Sequence, residues 1–417
     1  MRKFPFVLCL LLFVFCSLLS LNAYDWGLQL NQSLGVEGVS GESQDNSLTY
    51  SGTLVPWFSL PFGSPAYNAG NLYLSAGVTL SYPSESGDRA VLFIPELLRT
   101  ELSWRIGTNS EIKIGRMNYS DPLGIIANGL FDGARFSFSL NNSSFSAGLW
   151  YTGLLYKKSA NITMTDNDMD AYREELDYAR FGDTYFAPRR IIAAFDWNNP
   201  YLANWLRLKA SLIAQFDLSG SDDLYHSQYL AIKAAIPVRN FVFDLGGCLE
   251  LAEQSEELKV SLAGEFGIGW MLPTPIRDML RFSCLLTNAA INDSAFAAFV
   301  PITTIPQGEI LQAKFSGLSM FRLDYTARLH ETFSINIVNA YFIASDYESY
   351  QGFPQVSSGG RKGNFLGYEV SGRLIWSPFS DLQLNLGGGI FLPSMGNTGS
   401  QSGVLWRVNF NVALAIF

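Results

Sequence analysis

The chain has 417 residues, of which 48% are apolar, 14% aromatic and 16% charged, and its formal net charge is −9. A soluble globular protein usually carries about 25% charged residues, so this composition argues against a surface that faces water everywhere. We expect no nucleic-acid partner and no cofactor.

The first 23 residues are the first predicted element. Arg2 and Lys3 precede an apolar run over 4–21, and Ala23 is the small residue expected before a cleavage site. We predict a secretory signal peptide over 1–23 and a single domain over 24–417. An uncleaved membrane anchor and a lipid attached to Cys16 are the alternatives for this segment.

Segments in which apolar and polar residues alternate fill the rest of the chain, and no apolar run reaches the length of a membrane helix, about 18 residues. A closed barrel is the other structure that satisfies every backbone group in lipid. We therefore predict an all-β fold, a transmembrane antiparallel β-barrel of about 18 strands within a range of 16–20. The predicted strands cover 25–34, 48–59, 71–82, 88–106, 110–119, 130–140, 143–155, 189–197, 203–216, 226–236, 240–250, 257–270, 278–288, 309–329, 331–344, 364–376, 381–391 and 404–417.

The connections between these strands alternate in length. Those after even-numbered strands are mostly tight, such as Asn141-Asn142, whereas those after odd-numbered strands are often long and polar. The longest covers about 156–188, and the stretch 60–70 is the clearest exception. Short turns at one end and long loops at the other are typical of outer-membrane barrels, with both termini in the periplasm.

Charged residues keep a consistent register along the strands. In 321–330, Phe321 and Leu323 alternate with Arg322 and Asp324, and a lipid-facing arginine near the membrane centre would cost about 2–4 kcal/mol. The charged register therefore predicts a wet lumen. The predicted pore-lining residues are Lys113, Arg135, Arg207, Lys209, Arg281, Arg322, Arg328, Arg373 and Arg407. A basic lumen favours anions; alternatively, these residues pair with lumen acids and brace the wall without any solute preference.

The longest loop contains a run of aspartates. Asp166, Asp168, Asp170 and Asp177 match positions 1, 3, 5 and 12 of a calcium-loop pattern, but alanine replaces the glycine of position 6. A solvated acidic loop is the default interpretation, and calcium binding is a weak alternative. A short helix over 171–181 is expected, in a loop that either constricts the channel or caps it.

Few residues are available for covalent chemistry. Cys248 and Cys284 lie on the eleventh and thirteenth predicted strands and on opposite faces, so we predict two free thiols. His226 and His330 have no accompanying nucleophile, and we expect no enzymatic activity.

The last predicted strand, Val404–Phe417, has one apolar face, while the other carries Arg407 and two asparagines. A barrel closes by pairing its last strand with its first, and we predict that the assembly machinery recognises this strand, with Phe417 as part of the recognition element.

Two stretches resemble a known family. Ile114-Gly115-Arg116 followed by Phe131-Asp132-Gly133, and the late Phe391-Leu392-Pro393, are similar to motifs of the alginate-export and related substrate-specific porins. The resemblance implies an 18-stranded barrel with a basic lumen that passes acidic solutes.

Together these patterns predict an outer-membrane porin for small hydrophilic, anionic solutes. Its predicted surroundings are the lipid of the outer membrane, and a homo-oligomer is one of the oligomeric states we consider. The alternative is a surface adhesin or structural barrel whose acidic extracellular loops bind ligands.

Overall fold

The computed structural model describes residues 24–40, 46–63, 69–82, 91–220, 224–254, 257–290, 295–345, 364–393 and 403–416. The predicted signal peptide and Phe417 lie outside these residues, so both stay predictions. Among the described residues, no helix is both long and apolar enough to cross a membrane.

Eighteen antiparallel strands form one closed sheet, which confirms the predicted fold. Each strand pairs with its neighbours in the chain, and β1 pairs with β18 from Leu28↔Ile416 to Ser40↔Val404. The strands are β1 Asp25–Ser40, β2 Ser47–Phe62, β3 Gly70–Tyr82, β4 Leu92–Ile106, β5 Ser110–Ser120, β6 Asn128–Leu140, β7 Ser143–Tyr151, β8 Arg190–Leu202, β9 Leu206–Asp217, β10 Tyr225–Val238, β11 Phe241–Gln254, β12 Glu257–Met271, β13 Met279–Thr287, β14 Leu318–His330, β15 Phe333–Ala344, β16 Phe365–Phe379, β17 Leu382–Leu392 and β18 Val404–Ile416.

The two ends of the barrel differ as the sequence predicts. One end, called here the long-loop end, carries the connections 121–127, 152–189 and 288–317. The other, the short-turn end, carries two-residue turns such as 141–142 and 331–332. The connections 63–69 and 272–278 are longer exceptions at the short-turn end.

The alternation along each strand separates an apolar outer face from a polar inner face. On β14, Phe321 and Leu323 are exposed on the outside, while Arg322 and Asp324 point inward and form an ion pair. Side chains that contact the loops inside the barrel identify the inner face of a strand. Because successive side chains point to opposite faces, every second residue from such a side chain also lies on the inner face.

Two predicted segments differ from the structure. β14 begins at Leu318 rather than at 309 because the backbone N–H groups of 309–311 bond to Glu369 instead of to a neighbouring strand. The helix expected over 171–181 is replaced by three shorter elements: α2 at Asp166–Arg173, a 3-10 helix at Tyr178–Arg180 and α3 at Phe181–Thr184. A further short helix, α1, precedes them at Lys157–Ala160. α2 starts early because Thr165 and Asp168 form a capping box.

The wall is split between β4 and β5 on the side of the long-loop end. These strands pair only from Thr100↔Arg116 to Ile106↔Ser110. Gly115 adopts φ +116°, and a Cβ there would lie 2.2 Å from the Thr100 carbonyl oxygen, so glycine permits the departure of β5. The unpaired β4 carbonyls of Phe93, Pro95 and Leu97 accept hydrogen bonds from Tyr178, Tyr185 and Arg116, respectively.

Candidate functional site

The connection 121–127 folds inside the barrel around one carboxylate. Asp121 accepts hydrogen bonds from the backbone N–H groups of Leu123, Gly124, Ile126 and Ala127, at 2.8–3.0 Å. The side chains of Ile126 and Ala127 are completely buried. Burial raises the pKa of the Asp121 carboxyl in spite of these four donors. A single side chain therefore fixes the shape of this short loop.

The connection 152–189 is tied to the wall by a buried charge cluster. Arg190, at the start of β8, is fully buried, and its Nη2 lies 2.5 Å from Asp168 and 3.2 Å from Asp217. Asp168 also accepts hydrogen bonds from the N–H groups of Met164 and Thr165. Two carboxylates around one guanidinium leave this cluster negative, and the loop cannot leave the wall without exposing or unpairing it.

The connection 288–317 crosses the interior and is anchored on two strands. Glu250 of β11 accepts a hydrogen bond from the N–H of Val300 at 2.9 Å. Glu369 of β16 accepts three, from the N–H groups of residues 309, 310 and 311 at 2.7–3.1 Å. Both carboxylates are buried. They satisfy backbone donors that would otherwise be left unpaired in the interior.

The three inward loops also contact one another. Thr303 accepts a hydrogen bond from the N–H of Asn128, directly after the first loop, at 2.8 Å. The hydroxyls of Thr304 and Thr163 lie 2.6 Å apart, and Asn161 donates to the Thr304 carbonyl. The loops therefore form one layer inside the barrel, with Phe299 and Ile302 completely buried in it.

The predicted pore-lining residues fall into two groups. Five form ion pairs with carboxylates: Lys113 with Glu101 at 3.6 Å, Arg281 with Asp244 at 2.7 Å, Arg322 with Asp324 at 2.5 Å, Arg373 with Glu309 at 3.1 Å, and Arg407 with Glu37. Four have no ion pair among the described residues: Arg135, Arg207, Lys209 and Arg328. Arg328 lies at the short-turn end, where it donates to the Glu331 carbonyl at 2.7 Å.

Arg135 and Lys209 line one recess of about 640 Å³ beneath the 121–127 loop, together with Ser146 and Asp196. Arg135 donates to the Ser146 hydroxyl at 3.0 Å, while its buried Nε has no hydrogen-bond partner in the described residues. Lys113 lies directly opposite Arg135 on the neighbouring strand, and such like-charge neighbours repel. We call the group Lys113, Arg135, Arg207 and Lys209 the basic wall.

Asp196 does not neutralise the recess by pairing with either cation. Its carboxylate instead accepts hydrogen bonds from three hydroxyls, those of Ser211 at 2.7 Å, Ser146 at 3.0 Å and Tyr119 at 3.1 Å. No ion pair joins this carboxylate to Arg135 or Lys209 in the described residues, so both cations can contact a negatively charged group in the lumen.

The four aspartates of the calcium-loop pattern serve different partners. Asp168 caps α2 and pairs with Arg190, whereas Asp177 accepts from the N–H of Ala179 and pairs with Arg180 at 3.3 Å. Asp166 is the first residue of α2 and Asp170 lies within it. Within the described ranges, no group of three or more His, Cys, Asp or Glu side chains is arranged to hold a metal ion.

Cys248 and Cys284 are free and buried, as predicted. His226 lies at the start of β10, where its Nδ1 accepts from the N–H of Asp217 at 3.1 Å, and His330 ends β14 beside Thr332. Neither histidine contacts the basic wall.

Sequence reasoning missed the residues that hold the loops, namely Arg190, Glu250 and Glu369. Their positions on the inner face follow from strand alternation, but their loop partners are distant in the chain. Arg116 and Asp132 appeared in the sequence only as parts of the two family motifs, and their pairing was not predicted. They form a bidentate ion pair at 2.8 and 2.7 Å, buried beside the split in the wall.

No protein-family model and no curated protein sequence matches the chain. Solved structures do. Pseudomonas aeruginosa OccK2 (OpdF) in complex with glucuronate matches with a TM-score of 0.62 and 12% identity over 95% of this chain and 98% of that one. The outer membrane protein opdK of the same organism gives 0.59 and 11% over 95% and 99%. Acinetobacter baumannii OccAB4 gives 0.61 and 8% over 95% and 98%.

The chain shares their fold. At these identities the likeness extends to the architecture and no further. The alginate-export part of the resemblance is not confirmed, since these neighbours are Occ channels and opdK.

Proposed function

We propose that this chain is an outer-membrane porin through which small hydrophilic solutes diffuse, with a preference for anions. The observation that carries the proposal is the basic wall inside a closed 18-stranded barrel. Arg135, Arg207 and Lys209 lie on the inner face without a carboxylate partner in the described residues. The proposal includes no covalent chemistry.

The preference for anions follows from the unequal pairing of the lumen charges. Ion pairs such as Arg281–Asp244 contribute little net field, because each cation lies beside its own carboxylate. The basic wall keeps its excess positive charge close to the path of a solute. Rings or patches of one sign in a narrow pore favour ions of the opposite sign.

The nine residues predicted to line the pore therefore divide into three proposed roles. Arg135, Arg207 and Lys209 attract the anion, and Lys113 supports them at the edge of the basic wall. Arg281, Arg322, Arg373 and Arg407 brace the wall and the 288–317 loop through their ion pairs. Arg328 stabilises a turn.

The glucuronate complex of OccK2 agrees with this assignment, since glucuronate is a hydroxylated carboxylate. The inward course of 152–189 and 288–317 also weighs against the adhesin alternative, because a loop packed inside the barrel presents less surface to an external ligand.

The proposed location is the outer membrane, with the short-turn end in the periplasm and the apolar outer face in lipid. The proposed partners are the assembly machinery, which would recognise β18 and Phe417, and a second copy of the chain.

Reconstitution of the refolded barrel tests this proposal. We expect single-channel conductance in planar bilayers, and uptake of labelled glucuronate into proteoliposomes faster than uptake of glucosamine, a cation of similar size. No conductance under any condition would contradict the porin function and favour the adhesin. Faster glucosamine uptake would contradict the anion preference alone.

A further inference from the structure

A second polar surface lies on the inner face of β17, β18, β1, β2 and β3. Cross-strand pairing places Asn385, Asn411, Ser33, Ser51 and Ser81 in one row. The next row holds Gln383, Ala413, Asn31, Thr53 and Thr79. Neither row contains a charged residue. We call these two rows the neutral wall; at about 4.8 Å between strands it is about 19 Å wide.

Several of these polar groups have no partner inside the protein. In the described part of the chain, Ser33, Ser51 and Asn411 make no side-chain hydrogen bond, whereas Thr53 and Thr79 bond to each other at 2.9 Å and Asn31 accepts from Gln29 at 3.0 Å. A recess of about 500 Å³ lies between these strands, and its lining consists of Asn31, Gln32, Ser33, Ser51, Thr53, Asn385, Asn411, Val412 and Ala413. Because Ser33, Ser51 and Asn411 are only half-buried, their donors and acceptors are open to an occupant of the lumen.

None of the loops that the structure describes covers the neutral wall. The inward loops bury the inner face of the opposite side, where Ile192, Ser227 and Ala231 are completely buried. Asn411 and Ser33 are only half-buried. β1 and β10 lie nine positions apart in the ring of eighteen strands, so the neutral wall faces the strands that carry Lys209 and Lys233. The neutral wall therefore borders the part of the lumen that the described loops leave open.

The chemistry of the neutral wall suits uncharged, polyhydroxylated molecules. Each sugar hydroxyl is both a donor and an acceptor, and each asparagine or glutamine amide offers both on one side chain. Serine and threonine hydroxyls adapt by rotation. An uncharged solute loses no ionic hydration at this wall, whereas an anion gives up ionic hydration and finds no cation in the two rows to pair with.

We propose that the neutral wall is a binding site for neutral saccharides and polyols, separate from the basic wall. The barrel then offers two surfaces to passing solutes, one for carboxylates and one for hydroxyls. The proposal rests on the porin function, because the solute must enter the lumen to reach the site.

Maltose is the probe for this site. In planar bilayers, maltose is expected to reduce the ionic current in a saturable way. The double variant Asn385→Ala/Asn411→Ala should weaken its apparent affinity by about tenfold, because two amide side chains that line the recess are lost. Asn198→Ala is the matched control, since Asn198 is an inner-face amide on β8 that lines the basic recess rather than the neutral wall. The Asn198→Ala barrel should bind maltose with the affinity of wild type.

Saturable block that is equally strong in wild type and in the double variant would overturn the proposal, as would an equal loss in Asn198→Ala. A conducting pore that maltose does not block would do the same. If the barrel does not conduct, the porin function fails, and titration calorimetry of the detergent-solubilised barrel with maltose then tests the neutral wall separately. Heat of binding that the double variant loses supports the site, and its absence in wild type overturns it.

Discussion

Two regions of the inner face differ in what covers them: strands β8–β12 and, on the opposite side of the barrel, strands β17, β18 and β1–β3. On β8–β12, the loop layer buries Arg190 and Glu250, and each of these charges has several partners. On β17, β18 and β1–β3, no loop in the described part of the chain covers the neutral wall, and its two rows contain no charged residue. The buried carboxylate of Glu250 thus serves the loop layer, whereas the buried Asp244 on the same strand pairs with the lumen cation Arg281.

The physical reason is the backbone of the loops. A segment that crosses the interior without forming sheet carries N–H groups that need acceptors. Glu369 supplies them for 309–311, and Glu250 supplies one for Val300. Where no loop docks, no such carboxylate is required, and amides and hydroxyls suffice to keep the wall wetted.

The largest effect is expected from Arg190→Met. Breaking a buried ion pair by removing one partner typically costs about 3–5 kcal/mol, and here it leaves Asp168 and Asp217 without their cation. We expect the free energy of unfolding, measured by urea titration with tryptophan fluorescence, to fall by this amount. Arg173→Met, an exposed arginine of α2, is the control and should change it by less than about 0.5 kcal/mol. An equal loss in both variants would contradict the anchoring role.

The next effect is expected from Glu369→Leu. Three backbone donors of the 288–317 loop lose their acceptor, and a backbone N–H that is left unpaired in the interior must find water instead. We expect the loop to detach from β16, so that single-channel conductance rises and fluctuates more. Ser371→Ala, at the next inner position of β16, should leave the conductance unchanged. An unaltered conductance in Glu369→Leu would show that the loop is held by other contacts.

A smaller effect is expected from the pH dependence of Asp121. Its folded pKa is raised by burial, so the folded state binds a proton at pH values where the unfolded state does not. Its contribution to the free energy of unfolding is therefore greatest below the unfolded pKa of about 3.9 and falls as the pH rises through the folded pKa. Asp121→Asn should flatten this part of the stability profile. An identical slope in the variant would place the titration elsewhere.

The barrel could be predicted from the sequence because strands and turns are recognised from patterns among residues that are close together in the chain. Alternation such as Arg322 between Phe321 and Leu323 identifies a strand and its faces, and short polar turns identify its ends. The inward loops depend on contacts between distant residues, such as Glu369 with 309–311. Asp168, noticed as part of a calcium-like pattern, is a helix cap and the partner of Arg190, and only the fold brings that arginine to it.

The candidate site was predicted in part for the same reason. Register placed the cations on the inner face, but whether each has a carboxylate beside it depends on its neighbours across the sheet or in a loop. Arg373 pairs with Glu309 of the 288–317 loop. Arg407 donates to the Glu309 carbonyl and pairs with Glu37. Arg135 and Lys209 have no ion pair among the residues that the structure describes, and no local sequence pattern distinguishes the paired cations from the unpaired ones.

The reversal potential in a potassium chloride gradient tests the central claim most directly. The basic wall predicts an anion-selective wild-type pore, with the chloride preference reduced several-fold in Arg135→Gln/Lys209→Gln. It also predicts little change in Arg281→Gln/Asp244→Asn, which removes a neutral ion pair. A cation-selective wild-type pore, or an unchanged preference in Arg135→Gln/Lys209→Gln, would contradict it.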